Sequence, residues 1–352
     1  MGVRITGSGS YIPNRVEKNE NFQNHDFYNQ DGSTFGQENE IIIEKFKAIT
    51  GISERRYIKN KLNTSDIAFF AAEEAIKDAG IDKETLDYLI VAHNYGDVRH
   101  GTMQSDTVPS LASRVKHSLR IQNPECVAYD ILFGCPGWVE GMIQAQAFIK
   151  AGMAEKCLVI GAESLSRVVD QHDRDSMIYS AGAGATVIEA GDDREHILSH
   201  YSATFSYDEA HFIYFGESNN QELTDARRYI KMYGRKIYEF ALSNVPGAMK
   251  VCLDKGDIPI GDVKKILIHQ ANEKMDEAII QRFYKLYGQT PPTDVLPMTI
   301  ETLGNSSVAT VPTLFDLIRK GKLEDHSLNE GDVIIFASVG AGMNINAVAY
   351  RI

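Results

Sequence analysis

Cysteine is scarce and scattered in this chain: Cys126, Cys135, Cys157 and Cys252 are the only four in 352 residues, and no two of them form a C-x-x-C pair. That spacing excludes a disulfide framework and a paired-cysteine metal or redox site, and it fits a reducing cytoplasm. An apolar h-region is missing too; Val3 leads directly into Arg4 and Ile5, so no secretory signal is expected. Gly2 with Thr6 matches the myristoylation pattern, which is too short to argue for a lipid anchor. Positive charge is in deficit, with 36 Lys and Arg against 48 Asp and Glu and a net charge of −12. General nucleic-acid binding needs a strongly cationic surface and is therefore excluded; any basic partner site must be local. Nor is there a clean apolar run of membrane length. The longest uncharged stretch, Val333 to Tyr350, carries Gly340, Gly342, Asn344 and Asn346, and reads as two buried strands around a glycine turn.

A content of 43% hydrophobic and 24% charged residues can bury a large core, and the length exceeds that of one ordinary domain. Helical patterns alternate with short β-rich runs at Tyr88 to Ala92, Cys157 to Ile160 and Lys265 to Ile268, the signature of an α/β fold. No Pro- or Ser-rich linker divides the chain, but a repeat does. Asp78, Gly80, Ile90 and His93 recur as Asp254, Gly256, Ile266 and His269, each displaced by 176 positions, which is half of 352. In both copies a helix (Ser65 to Ala79, and Gly234 to Lys255) leads through a glycine turn to a strand ending at a histidine. Gly182-Ala183-Gly184 and Gly340-Ala341-Gly342 each open an apolar run. The expected organisation is two similar α/β halves, 1–190 and 191–352, with a polar insertion near 203–226.

The run Cys126 to Leu132 reads as a strand, and Phe133-Gly134-Cys135-Pro136-Gly137 turns sharply into a helical pattern from Trp138 to Lys150. Proline favours the first helical position, so Cys135 is expected at the N-cap. There the unsatisfied N–H groups and the helix dipole would favour a thiolate, and the same N–H groups could hold an oxyanion. Small buried cysteines are the ordinary alternative, and Cys126, Cys157 and Cys252 read that way. Trp138, the only tryptophan, reads as core packing. His269 closes a strand and Asn305 lies in a turn before a helix from Val308 to Arg319, at strand-end loops where α/β folds place ligands. Taken alone, Asn305 is a helix cap.

These residues resemble the β-ketoacyl-ACP synthase III group of the thiolase superfamily. The resemblance runs from Thr6-Gly7-Ser8-Gly9-Ser10-Tyr11-Ile12-Pro13 and Thr50-Gly51-Ile52-Ser53-Glu54-Arg55 through the cysteine elbow. It continues at His269-Gln270-Ala271-Asn272, Gly304-Asn305-Ser306-Ser307 and the terminal glycine loop. It implies a thiolase fold of two duplicated α/β halves in a layered αβαβα core, the first carrying the cysteine and the second the histidine and asparagine. It further implies that Cys135 is acylated, that the backbone N–H groups of Cys135 and Ala341 hold the first oxyanion, and that His269 and Asn305 hold the second thioester carbonyl. Decarboxylative Claisen condensation with malonyl-ACP would follow. No resident cofactor and no metal are implied; acyl-CoA or acyl-ACP and malonyl-ACP are substrates. A homodimer is implied, as is an acyl carrier protein partner, with Arg174 where the family contacts coenzyme A and Lys274 and Arg282 where it docks its carrier. A second basic cluster, Arg227, Arg228, Lys231, Arg235 and Lys236, is an alternative carrier surface.

Departures from the family pattern are the Gly-Cys-Pro-Gly elbow, Ser180-Ala181 ahead of Gly182, Lys45 in place of an adenine-stacking tryptophan, and the polar segment Asn94 to Asp106. They leave open the starter, its carrier, a specialised pathway joining two acyl-thioesters, and a Cys135-dependent acyltransferase without condensation. A head-to-head condensation would need a glutamate base, which the sequence does not single out. Ser338 stands where a thiolase needs a second cysteine, and Asn305 where two-histidine ketosynthases carry histidine. A papain-like hydrolase shares the Cys-His-Asn order but places its cysteine near the mature N-terminus.

Overall fold

A computed structural model describes residues 2–191, 194–224 and 226–352. The first half supplies β1 (Val3–Tyr11), β2 (Arg15–Lys18), α1 (Asn39–Thr50), β3 (Glu54–Tyr57), α2 (Thr64–Ala79), β4 (Tyr88–Ala92), α3 (Leu111–Ser118), β5 (Val127–Ile131), α4 (Gly137–Lys150), β6 (Lys156–Glu163) and β7 (Gly182–Ala190). The second supplies β8 (Ile197–Thr204), β9 (Ile213–Gly216), β10 (Tyr229–Met232), α5 (Gly234–Lys255), β11 (Val263–Ile268), α6 (Glu273–Lys285), α7 (Ile300–Leu303), α8 (Thr310–Arg319), β12 (Val333–Gly340) and β13 (Asn344–Arg351).

Strands β1-β7-β6-β4-β5 form one sheet and β8-β13-β12-β11 another. The pairings correspond: β1–β7 and β7–β6 are antiparallel and β6–β4 parallel, while β13–β8 and β12–β13 are antiparallel and β11–β12 parallel. The repeat noticed at a spacing of 176 thus falls on matching strands, with His93 following β4 and His269 following β11. Stretch 203–226 holds the end of β8 and all of β9, which pairs with β10 as a separate ladder; position 225 lies outside the described residues.

Alternation along the strands builds the layers, because successive side chains point to opposite faces and both faces are covered. In β4, Leu89 and Val91 pack with α2 and α3, whereas Ile90 and Ala92 face α4. In β12, Ile334 and Phe336 join that same middle layer of α4 and α8, whereas Ile335, Ala337 and Val339 face α5 and α6. The result is the α-β-α-β-α stack of the thiolase fold. Trp138 lies in the middle layer, its ring edge-on to Phe336 at 5.3 Å. Small residues set the close approach of α2 to β1: a Cβ added at Gly7 would lie 2.4 Å from the Ala75 carbonyl oxygen. Among the described residues, no helix is long and apolar enough to cross a membrane.

Candidate active site

After β5 the chain turns through Gly134 at φ +67°, and the Gly137 N–H donates to the Gly134 carbonyl at 3.1 Å. This tight turn draws Pro136 into helical geometry at φ −69°, so Pro136 is the N-cap of α4 and Cys135 stands one residue earlier than the sequence suggests. The turn rests on the terminal glycine loop, backbone against backbone. A Cβ on Gly340 would lie 2.5 Å from the Cys135 nitrogen, and one on Gly134 would lie 2.8 Å from the Ala341 oxygen. Asn344 and Asn346, the polar residues of the uncharged stretch, staple the two together. Asn344 Nδ2 donates to the Ala341 and Phe133 carbonyls at 2.8 and 3.3 Å, and Asn346 Nδ2 donates to the Pro136 carbonyl at 3.0 Å.

His269 is placed by its N–H bond to the Ala337 carbonyl at 2.9 Å, at the mouth of the parallel β11–β12 pair. The residues after it hold its loop: Gln270 donates to the Pro297 carbonyl at 2.8 Å and accepts from the Thr299 N–H at 2.9 Å, while Asn272 caps α6 through the Met275 N–H. Burial lowers the His269 imidazole to about 4, against a smaller upward effect of a hydrogen bond to the Ser307 backbone, so the ring is neutral at physiological pH. Among the described residues its Nδ1 has no hydrogen-bond partner. Asn305 is clamped by its own backbone, with N–H to the Ile178 carbonyl at 3.0 Å and C=O to the Ser180 N–H at 2.8 Å. Its Oδ1 accepts the Ser307 N–H at 2.7 Å, which turns the amide NH2 outward as a free donor. The departure at Ser180 now has a reason: its buried hydroxyl accepts from the Arg56 N–H at 2.9 Å and donates to the Arg56 carbonyl at 3.0 Å, pinning the strap that clamps Asn305.

Cys135, His269, Asn305 and Ala341 open onto one cavity of about 420 Å³, whose walls include Leu165, Tyr179 and the β9–β10 residues Ile213, Phe215, Ile230 and Met232. Cys126, Cys157 and Cys252 are buried elsewhere. The thiolate expected at Cys135 is not favoured. Burial pushes the thiol up to about 11, partly opposed by a hydrogen bond to Ser307 and reinforced by the negative charge of Glu163. Desolvation of the sulfur outweighs the helix end, so Cys135 rests as a thiol.

The sequence assigns no role to three residues behind Cys135, although Ser307 lies in the Gly304-Asn305-Ser306-Ser307 motif. Ser307 Oγ lies 3.3 Å from Sγ, Asn94 Nδ2 donates to that Oγ at 2.8 Å, and the Asn94 N–H donates to Glu163 at 2.8 Å. Besides the motif around Ser307, only the oddly polar segment beginning at Asn94 points there. Glu163 is the carboxylate nearest in effect to Cys135; burial raises it, against the donors of Asn94 and Ser164 and the charge of His93.

The residues expected to meet the carrier and coenzyme A are not among those lining the cavity. Lys274 is exposed on the first turn of α6, and Arg282, also exposed, donates to the Leu242 carbonyl at 3.0 Å. Arg174 stacks its guanidinium over Phe35 at 4.8 Å. The second basic cluster is not a cationic surface. Period-two alternation in β10 turns Tyr229 and Lys231 inward, and the Lys231 ammonium, 3% exposed, binds Asp170 at 2.6 Å, Asp173 at 3.0 Å and Asn219 at 2.7 Å. Arg228 pairs with Glu217 and Arg235 with Glu239, and Lys236 lies over Tyr233 and Phe212. Lys231→Met is expected to strand two acids and destabilise the fold by about 3–5 kcal/mol, visible as a lowered Tm; an unchanged Tm would contradict the buried-pair reading.

The family model described as 3-oxoacyl-(acyl-carrier-protein) synthase III matches residues 129–204, and that of its C-terminal part matches residues 253–352. A β-ketoacyl-(acyl-carrier-protein) synthase III of Geobacillus kaustophilus (strain HTA426) is 31% identical over 354 residues, covering 100% of this chain and 99% of the relative. A β-ketoacyl-(acyl-carrier-protein) synthase III 1 of Bacillus anthracis is 30% identical over 355 residues, covering 100% and 99%. The crystal structure of 3-oxoacyl-(acyl-carrier-protein) synthase III from Aquifex aeolicus VF5 superposes with a TM-score of 0.80 at 28% identity over 100% of both chains. With a matching fold, full-length relatives and a cysteine, histidine and asparagine on one cavity, the chain belongs to the β-ketoacyl-ACP synthase III family and is a condensing enzyme of acyltransferase type.

Proposed function

We propose that Cys135 is the acyl acceptor and that His269 and Asn305 stabilise the enolate made from a malonyl-thioester. The supporting observation is the shared cavity, onto which a thiol, a neutral imidazole, an outward amide and the Ala341 backbone all open. In the first half-reaction Cys135 Sγ attacks the starter thioester, and the Cys135 and Ala341 N–H groups receive the oxyanion; among the described residues neither donates to a backbone carbonyl. The carbon–sulfur bond of the starter breaks, and the thiol proton leaves with the departing carrier thiol. In the second, the malonyl thioester oxygen takes hydrogen bonds from His269 and Asn305 while the carboxylate leaves as carbon dioxide. Neutral donors suit this step, since a cation beside the malonyl carboxylate would hold the group that must leave. The enolate carbon then attacks the carbonyl of acyl-Cys135, the carbon–sulfur bond to Cys135 breaks, and the departing thiolate takes one proton from solvent to restore the thiol.

Malonyl-ACP as extender, a carrier protein docked at Lys274 and Arg282, an acyl-thioester starter passing Arg174, and a cytoplasmic setting complete the reading. No resident cofactor, metal or nucleic acid takes part. A homodimer is supported by β5, a sheet edge with Val127 47% exposed and Leu132, just after the strand, 68% exposed. Incubation with an acyl-thioester and malonyl-ACP should release carbon dioxide in step with loss of acyl-Cys135; acyl transfer to a hydroxyl or amine without carbon dioxide would overturn condensation. Reversing Lys274 and Arg282 to glutamate should slow turnover with carrier-borne malonyl roughly tenfold and flatten its salt dependence, while a small thioester mimic reacts normally. Equal losses with both substrates would place docking elsewhere.

A further inference from the structure

The side chains behind Cys135 form a chain of hydrogen bonds whose direction is fixed. Glu163, 1% exposed at the end of β6, accepts the Asn94 backbone N–H at 2.8 Å and the Asn94 Nδ2 at 2.5 Å on one oxygen, and the Ser164 N–H at 3.2 Å on the other. A flipped Asn94 would turn its carbonyl oxygen onto this carboxylate, so the amide orientation is settled by its partner rather than left open. Nδ2 has two hydrogens. One goes to Glu163, and the other goes to Ser307 Oγ at 2.8 Å. Ser307 therefore accepts from Asn94, and among the described residues its own hydrogen has one remaining neighbour, Cys135 Sγ at 3.3 Å. The serine is held there at φ +55°, a left-handed conformation that side chains rarely adopt.

We propose that Ser307 donates its hydroxyl hydrogen to Cys135 Sγ as negative charge builds on the sulfur, and that Asn94, oriented by Glu163, is the positioning residue that leaves Ser307 no other direction. The inference rests on the reading of Cys135 as nucleophile and adds the donor that helps a desolvated thiol react. Ser307 keeps its proton throughout; the thiol proton still leaves with the departing carrier thiol. The titratable groups around the sulfur are Glu163 from β6, Tyr179 from the segment before β7 and His269 after β11, with His93 beyond Glu163. Glu163 by its charge disfavours a thiolate, so its contribution is the orientation of Asn94. Neutral His269 supplies no compensating positive charge, which leaves the hydroxyl as the charge-stabilising side chain beside Sγ.

The test is the second-order rate of Cys135 alkylation by iodoacetamide between about pH 7 and 9, with the site read by peptide mass spectrometry. Ser307→Gly is the informative variant, because glycine accepts φ +55° without strain and the fold should melt no lower than the parent. Its alkylation should be about tenfold slower at every pH in that range, as should that of Asn94→Ala, since loss of a charge-assisted hydrogen bond lowers the thiolate fraction by that order. Removing either side chain opens space at the sulfur, so a purely steric role forecasts equal or faster alkylation. Labelling at Cys135 with an unchanged or faster rate in folded Ser307→Gly overturns the relay alone. Failure of the parental protein to label at Cys135 overturns the nucleophile reading, and the relay with it.

Discussion

Cys135→Ala is expected to abolish formation of a covalent acyl-enzyme and to cut condensation by a factor on the order of 10⁶, the scale on which removal of a covalent nucleophile acts. No other cysteine can substitute. Cys126, Cys157 and Cys252 are 1%, 0% and 0% exposed, and each lies in a packed layer remote from the cavity lining. Intact-mass measurement after exposure to acyl-thioesters should show one adduct on the parental chain and none on the variant. A stoichiometric adduct on Cys135→Ala would remove the foundation of the mechanism.

Asn305→Ala and His269→Ala are expected to slow malonyl decarboxylation and condensation by about 10²–10³ each while acyl loading survives, because in the proposed mechanism each removes one donor to the enolate oxygen. Asn305 also has a structural role: its Oδ1 accepts the Ser307 N–H at 2.7 Å. Losing that bond should cost about 1 kcal/mol of stability, far too little to explain a slowed reaction in folded enzyme. The neutral state of His269 makes a related forecast. Burial lowers its imidazole from 6.5 to about 4, so no acid limb from this residue enters the rate profile above about pH 5. The unfolded chain takes up the proton first on acidification. The stability held by neutral His269 is therefore complete above about pH 6.5 and is lost as pH falls toward 4.

Much of this organisation can be read from sequence, for physical reasons that particular residues show. Strands such as β4 and β12 are buried on both faces and so appear as continuous apolar runs, and glycine turns mark where they end. Cys135, His269 and Asn305 stand out because each follows or precedes an element end, where a reactive side chain can face a ligand. The Ser307–Asn94–Glu163 chain is invisible beforehand, since Asn94 and Ser307 are 213 positions apart and nothing in the motif around Ser307 or the polar segment opened by Asn94 says that they meet. The basic cluster misleads because charge proximity along a strand ignores alternation, which buries Lys231 between acids. The thiolate expectation fails for a similar cause: the helix end is local and legible, whereas desolvation of the sulfur depends on the cavity that the whole fold closes around it.

The central claim is that two half-reactions use different residues of one cavity, and single-turnover labelling tests it directly. Parental enzyme and Asn305→Ala are loaded with a labelled starter, and discharge of acyl-Cys135 is timed after malonyl-ACP is added. Both proteins should load at comparable rates, and the variant should discharge about 10²–10³ more slowly. Discharge of acyl-Cys135 from folded Asn305→Ala at the parental rate would contradict the account.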